Sequence, residues 1–306
     1  MEKVGIIGLG HVGSTLAYSL VVSGTVDELV LFEQNEKLAS AELYDLVDAQ
    51  TPLATKTKIT IQAVEKLAEL DILVFCPGKI SILTDANGRF SELKLTSQMV
   101  KEWAPQIKQS GFKGILIVIT NPCDVITTYM QKLTGLPSQR VIGTGTLLDT
   151  ARMKQTVALD LAVDAQVVEG YVYGEHGESQ VVAWSTVTID GRPITDLYTP
   201  QELANLKEVV RLRSWQIFYV KHYTCYGIAS CTTDLIRLIF TDAHALVPIS
   251  AYDAKEDLYY GRPAIIGKNG VERVVNAALS DLEQEQLLQS IAVIRGNLAK
   301  LAVNDS

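Results

Sequence analysis

"KVGIIGLGHVGS", Lys3 to Ser14, runs an apolar stretch straight into three glycines spaced Gly8-x-Gly10-x-x-Gly13 and on into a helix-forming segment. Each glycine has a physical task in such a stretch. Gly8 makes a tight turn, Gly10 lets the backbone approach a pyrophosphate, and Gly13 lets the helix lie close on the strand, with the anion at the helix N-terminus. Taken alone, the pattern also describes a plain strand-to-helix turn. Its context narrows the reading, because the second apolar run ends at Glu33, twenty residues beyond Gly13. A carboxylate there accepts hydrogen bonds from an adenosine ribose and repels a 2′-phosphate, which predicts NAD rather than NADP as cofactor.

Outward from this stretch, short apolar runs recur at Val4–Ile7, Leu29–Phe32, Ile72–Phe75, Ile115–Ile119 and Arg140–Ile142. Continuous rather than alternating hydrophobicity is the mark of strands buried on both faces of a parallel sheet. Helical segments such as Val12–Ser23, Lys37–Asp48 and Arg89–Gln109 lie between them, so the alternation predicts an α/β fold, a Rossmann-type doubly wound parallel sheet. After about residue 165 the pattern changes. A hairpin is expected at Asp190-Gly191, one long helical region from Glu202 to about Thr241, a second hairpin at Asn269-Gly270, and a last helix opened by the capping box Ser280-x-x-Glu283. The expected division is a cofactor-binding Rossmann domain over 1–145 and an α+β substrate domain over 146–306.

Composition bounds the partners. A chain of 306 residues can bury about three quarters of its unfolded surface. With 27 Lys and Arg against 35 Asp and Glu, its net charge of −8 disfavours nucleic acid or an anionic membrane as the main partner. No apolar run approaches the roughly 18 residues of a membrane span. The cysteines, Cys76, Cys123, Cys225 and Cys231, include no C-x-x-C pair and sit in apolar surroundings, which suits reduced thiols and a cytoplasmic location.

Several residues carry candidate chemistry. In "VIGTGTLLDTARM", Asp149 and Arg152 lie three apart and share one helix face, although Thr146-x-x-Asp149 also fits a capping box and Arg152 could be a surface residue. Arg89 follows a glycine-containing loop and begins a helix, where the dipole disfavours a cation. Asn121-Pro122 follows a buried strand, at the carboxyl edge where open α/β sheets bind ligands, and a simple turn explains it as well. "YVYGEHGESQ" (Tyr171–Gln180) sets His176 between glycines after a short β-type run.

The ordered set GLGHVG, ITNP, LLDTAR and GEHGES resembles the L-lactate/malate dehydrogenase family, and the likeness continues through "HYTCYGIAS" and "PAIIGKNGV". Within it, "GRFSELKLTSQMV" and "VIGTGTLLDTARM" are most similar to the L-2-hydroxyisocaproate dehydrogenase branch. The resemblance implies an NAD-dependent dehydrogenase of 2-hydroxy acids. His176 would transfer the proton, Asp149 would be its partner, Arg152 would clamp the substrate carboxylate, and Arg89, on a lid, would polarise the reacting carbonyl. Asn121 would orient the carbonyl oxygen, and Thr224 would line the space for the substrate side chain. Gly8, Gly10, Val12, Gly13, Glu33, Gly78, Thr120, Asn121 and Ile228 would hold the cofactor. A homotetramer or homodimer is implied as well. The chemistry suits these roles, since imidazole titrates near neutrality and a planar guanidinium donates two parallel hydrogen bonds to a carboxylate.

The sequence departs from the family at three points. The lid segment Ile80-Ser81-Ile82-Leu83-Thr84 offers no second cation, only Lys79 at its edge, which argues against malate. Ile80, Ile82 and Leu83 suit an apolar side chain larger than methyl, so a 2-oxoisocaproate-like acid is expected, with pyruvate as the alternative. Glu169 stands where sugar-bisphosphate-activated relatives place a histidine, and Glu33 replaces the usual aspartate. A metal hydrolase finds no ligand spacing among His11, His176, His222 and His244, and no metal is expected. A serine hydrolase finds no G-x-S-x-G. A catalytically silent NAD-binding structural protein would keep the fold, but the intact Arg89, Asp149, Arg152 and His176 set speaks against it.

Overall fold

Strand β1 (Lys3–Ile7) pairs in parallel with β2 (Glu28–Phe32) on one side and β4 (Ile72–Phe75) on the other. The computed structural model describes residues 1–78 and 88–304, with side chains at 1–78 and 92–301. From that centre the sheet extends outward to β3 (Lys58–Ile61), and on the other side to β5 (Ile115–Val118) and β6 (Val141–Gly143). The parallel order is therefore β3-β2-β1-β4-β5-β6, with the reversal of winding between β1 and β4. Ligands of doubly wound sheets bind at that switch point, beyond the carboxyl ends of the strands.

The continuous apolar runs now have their cause. Leu73 and Phe75 enter one core, under α3 (Gly88–Ser110) and α4 (Cys123–Thr134), whereas Ile72 and Val74 enter the other, under α1 (His11–Ser23). Strand side chains alternate in direction, so a strand with a core on each face needs an apolar residue at every position. Helix α2 (Glu36–Ala49) links β2 to β3, and its N-cap Asn35 accepts from the backbone N–H groups of Lys37 and Leu38. β3 is a strand that the sequence pattern does not single out. Its residues are only partly covered at the sheet edge, so it lacks the fully apolar run of its neighbours.

The second half begins with α5 (Leu147–Leu161) and passes through short strands β7 (Val168–Glu169), β8 (Val172–Tyr173), β9 (Val181–Val182), β10 (Thr188–Ile189) and β11 (Arg192–Pro193). The turn between β10 and β11 is the expected Asp190-Gly191 hairpin, with φ of 49° and 76° at its two residues. The expected single helix over 202–241 is corrected to two, α6 (Pro200–Lys221) and α7 (Tyr226–Phe240). His222 ends the first with φ of 64°, a left-handed cap that stops the hydrogen-bond ladder and leaves Thr224 in the break.

Strands β12 (Ala245–Asp253), β13 (Leu258–Gly267) and β14 (Gly270–Val274) form an antiparallel extension, and the second hairpin turns one residue earlier than expected, at Lys268-Asn269, with Gly270 paired to Gly267 as the first residue of β14. β12 pairs with β6 at Ser250 and Gly143, so one nine-stranded sheet passes from the first half into the second. Helix α8 (Asp281–Asn304) closes the chain over the α4 side, and its capping box forms as the sequence indicates: Ser280 N–H donates to Glu283 and Glu283 N–H donates to Ser280 Oγ. Among the described residues no helix is long and apolar enough to cross a membrane.

Candidate active site

The glycine turn after β1 takes the shape its sequence requires. Gly8 adopts φ of +89°. A Cβ on Gly13 would lie 1.9 Å from the Gly8 carbonyl oxygen, so only glycine lets α1 sit this close to the turn. At Gly10 a Cβ would meet no protein atom within 4 Å, and Gly10 caps α1 without any side-chain hydrogen bond to its first N–H groups. An uncapped helix N-terminus facing open space is a site for a phosphate anion.

At the end of β2 the Glu33 carboxylate accepts the Leu9 N–H at 2.9 Å and the Asn35 N–H at 3.1 Å. It is thereby fixed against the glycine turn, with lone pairs left for a ribose. A cleft of about 460 Å³ begins here, and Gly8, Gly10, Val12 and Glu33 line it. Gly78, Thr120, Asn121 and Ile228 line the same cleft farther along. Gly13 does not reach it; that residue is buried in the helix-on-strand contact. The anion site, the ribose acceptor and a cleft that runs from the glycine turn past Thr120 and Asn121 to Ile228 fit a dinucleotide. His11 is exposed and stacks on Tyr223, with ring centroids 3.6 Å apart and planes 5° from parallel.

The cleft ends at Arg152 and His176. His176 lies three residues past β8, in a turn entered through Gly174 at φ of +85°; Gly177 on the other side does not take a positive φ. The turn presents His176 Nδ1 at 2.6 Å from Asp149 Oδ2, while Arg152 NH1 donates to the other oxygen, Oδ1, at 3.1 Å. Asp149 does not cap α5: the N-cap Thr146 makes no side-chain cap bond. The Asp149 side chain is instead 4% exposed and faces the two cationic partners. Burial opposes charge on Asp149, but His176 and Arg152 outweigh it and hold the carboxyl below its usual range. Burial likewise opposes the imidazolium, and the Asp149 charge and hydrogen bond reverse this, so His176 titrates above its usual value. Glu175, adjacent in sequence, faces away: its carboxylate accepts from Ser179 at 2.5 Å, and its N–H donates to Ser290 at 2.7 Å.

A second cleft of about 370 Å³ meets the first at Asn121, Arg152, His176 and Thr224. Trp215 and Phe218 of α6 form its apolar wall. The Trp215 indole N–H donates to Glu178 at 3.0 Å, two residues past His176, and Arg211 pairs with the other Glu178 oxygen at 2.7 Å. Arg89 belongs by its backbone to the first turn of α3, but its side chain, like the segment Lys79–Thr84, lies outside the described residues.

Some neighbours of this site carry no sequence signal. Trp215 and Phe218 lie inside what reads as continuous helix. Asp124 and Ser250, behind His176, are joined to it only by contacts between residues far apart in the chain. Burial pushes the Cys76 and Cys123 thiols up to about 12, so neither is a nucleophile at neutral pH. His244, remote in sequence from the other histidines, pairs with Glu272 at 2.8 Å beside Asp242 and Lys268.

A dinucleotide cleft that ends on a proton-handling imidazole defines a nicotinamide-dependent oxidoreductase. Residues 2–143 match the lactate/malate dehydrogenase NAD binding domain, and residues 146–303 match the lactate/malate dehydrogenase alpha/beta C-terminal domain. The chain belongs to the lactate/malate dehydrogenase family, and is an oxidoreductase acting on the CH–OH group of 2-hydroxy acids with NAD as cofactor.

It is 36% identical over 305 residues to an L-lactate dehydrogenase of Fusobacterium nucleatum, across 96% of this chain and 95% of that one. It is 34% identical to L-lactate dehydrogenase 2 of Listeria innocua, across 98% and 99% of the two chains. Among solved structures, the ligand-bound minor L-lactate dehydrogenase of Enterococcus mundtii superposes with a TM-score of 0.93 at 32% identity, covering 98% of each chain. The Cryptosporidium parvum lactate dehydrogenase complexed with lactic acid and nicotinamide adenine dinucleotide superposes at 0.92 with 26% identity, again over 98% of each.

Proposed function

We propose that the chain interconverts a 2-oxo acid and the corresponding L-2-hydroxy acid, with His176 as the acid/base, Asp149 as its partner and Arg152 as the carboxylate clamp. The observation that carries this reading is the Asp149 carboxylate shared between His176 Nδ1 and Arg152 at the junction of the two clefts. NAD, when bound, supplies the hydride exchange at C2. Because Nδ1 donates to Asp149, the proton in play is held at Nε2. The Asp149 charge and hydrogen bond raise the proton affinity of the imidazole and so favour the loaded state that carbonyl reduction requires. Arg152 uses one of its five N–H groups on Asp149 in the described contacts, and a substrate carboxylate can engage the rest of the fork. Asn121 at the cleft junction orients the carbonyl oxygen, Thr224 borders the substrate side chain, and Arg89 polarises the carbonyl. Gly8, Gly10, Val12, Glu33, Gly78, Thr120, Asn121 and Ile228 hold the cofactor, and Gly13, which does not reach the cleft, serves it by letting α1 sit close on the glycine turn.

For the substrate we infer an aliphatic or branched side chain, 2-oxoisocaproate-like, received in the second cleft against Trp215 and Phe218. Pyruvate is the second reading, favoured by the L-lactate dehydrogenase names of the relatives. NADH oxidation with pyruvate, 2-oxoisocaproate, phenylpyruvate and oxaloacetate separates them. The inference requires kcat/KM for 2-oxoisocaproate to exceed that for pyruvate; the reverse order selects lactate, and no turnover with any 2-oxo acid removes the catalytic assignment. We also infer a division near residue 145, a homodimer or homotetramer and a cytoplasmic location. Exposed Tyr44 and Val47 on α2 and Tyr219 and Val220 on α6 support the assembly, and four free cysteines support the compartment.

A further inference from the structure

Behind the His176–Asp149 pair lies a second buried carboxylate that the hydride exchange does not use. Asp124 is 1% exposed, in the first turn of α4, three residues after Asn121. Its Oδ2 accepts the backbone N–H of His176 at 2.8 Å, and its Oδ1 accepts the hydroxyl of Ser250, itself wholly buried on β12, at 2.6 Å. One side chain thus ties together the helix that follows Asn121, the turn that carries His176 and the strand that joins the two halves of the sheet. Among the described residues no lysine or arginine pairs with it, and the cationic group beside it is the imidazole itself.

A buried carboxylate without a dedicated cation works against folding at neutral pH, and such groups concentrate at functional sites. We propose that Asp124 is a positioning residue for His176: it fixes the backbone of the catalytic turn, and its negative charge helps to retain the proton on the imidazole. This rests on the reading of His176 as the acid/base.

The groups that act on Asp124 are His176 and Glu175 from the turn and the neutral Cys123 thiol beside it on α4; Ser250 from β12 is uncharged, and Asp149 and Arg152 of α5 bond to the side chain of His176 and to each other rather than to the backbone of the turn. Burial pushes the Asp124 carboxyl up to about 6, against the hydrogen bonds from Ser250 and His176. The sign follows. With its affinity for protons raised on folding, Asp124 favours the native state below the unfolded carboxyl value, and this contribution is lost as pH rises through about 6. Its charge, and with it the support for the imidazolium, disappears as pH falls through the same range.

Asp124→Asn separates charge from geometry, because the amide oxygen can still accept the His176 N–H and the amide nitrogen can donate to Ser250 Oγ. Reductive kcat/KM of the variant and of wild type is measured from pH 5 to 10, together with NADH affinity and thermal unfolding. The expected result is an alkaline midpoint, set by loss of the His176 proton, lowered by about one pH unit. NADH affinity should stay within about twofold, and the unfolding temperature should be no lower than wild type. An alkaline midpoint unchanged within about 0.2 unit overturns the proposal, as does a fall in stability with an unchanged profile. If Asp124→Asn does not fold, Ser250→Ala decides: removing a hydroxyl whose dipole offsets the Asp124 charge should move the same alkaline midpoint upward, and an unmoved or lowered midpoint overturns the proposal. Failure of wild type to turn over any 2-oxo acid strikes the acid/base reading instead, and is seen before any variant is compared.

Discussion

Replacing Asp149 by asparagine tests the central pair most directly. The carboxylate is 4% exposed, lies 2.6 Å from His176 Nδ1 and 3.1 Å from Arg152, and is the shared counter-charge of both. Asparagine keeps the volume and removes the charge. An opposite charge at this distance raises a histidine by roughly one to three pKa units, so its loss should drop the alkaline midpoint of the reductive profile by at least one unit. The introduced amide could also turn its N–H groups toward Nδ1, which would put the imidazole in the wrong tautomer. General acid–base catalysis is typically worth about 10²- to 10⁴-fold, so reductive kcat should fall by about that much while NADH binding is retained. Stability should fall as well. Arg152, 10% exposed, would be left beside an imidazole with no carboxylate between them. Breaking one side of a buried pair costs about 3 kcal/mol or more, roughly 6–12 °C in a protein of this size. Stopped-flow NADH oxidation across pH, tryptophan-to-NADH energy transfer and calorimetry give the three readouts. A variant with kcat within about threefold of wild type and the same midpoint would refute the assignment of Asp149 as the histidine's partner.

Two further outcomes follow from the same geometry. Gly174→Ala should lose about 2–4 kcal/mol in denaturant unfolding, because Cβ would stand 2.4 Å from Ser290 Oγ at φ of +85°, displacing the hydroxyl that receives the Glu175 N–H; an unchanged midpoint would show that the turn relaxes freely. Glu33→Ala should weaken NADH about tenfold by fluorescence titration and narrow the preference over NADPH, as befits a charge-assisted hydrogen bond; an unchanged ratio of the two affinities would remove Glu33 from cofactor selection.

What can be read from the sequence follows the range of the interactions. The glycine turn and the parallel strands are specified within some thirty residues, because φ at Gly8, the closeness at Gly13 and the two-sided burial of Leu73 and Val74 are local or periodic requirements. Asp149 and Arg152 are legible as one helix face, yet their meeting with His176, twenty-seven residues later in sequence, is carried by the resemblance and not by any period. Asp124 and Ser250 leave no such trace, since their bonds to the site span 52 and 126 residues. The break between α6 and α7 escapes for a different reason. A left-handed cap at His222 has no glycine or proline to announce it, so the apolar pattern reads through and hides Thr224 in what looks like helix.

The single hydrogen-bonded seam at Gly143 and Ser250 also shapes how the chain can be made. When β6 leaves the ribosome, its outer edge has no partner until β12 is synthesised, about a hundred residues later. At about 5–20 residues per second that is roughly 5–20 s during which a strand of the central sheet stands open to pairing with other chains. The first half therefore emerges as an unfinished sheet, and the interval before the β12–β13 hairpin arrives is the time in which a nascent chain of this protein most needs protection from aggregation.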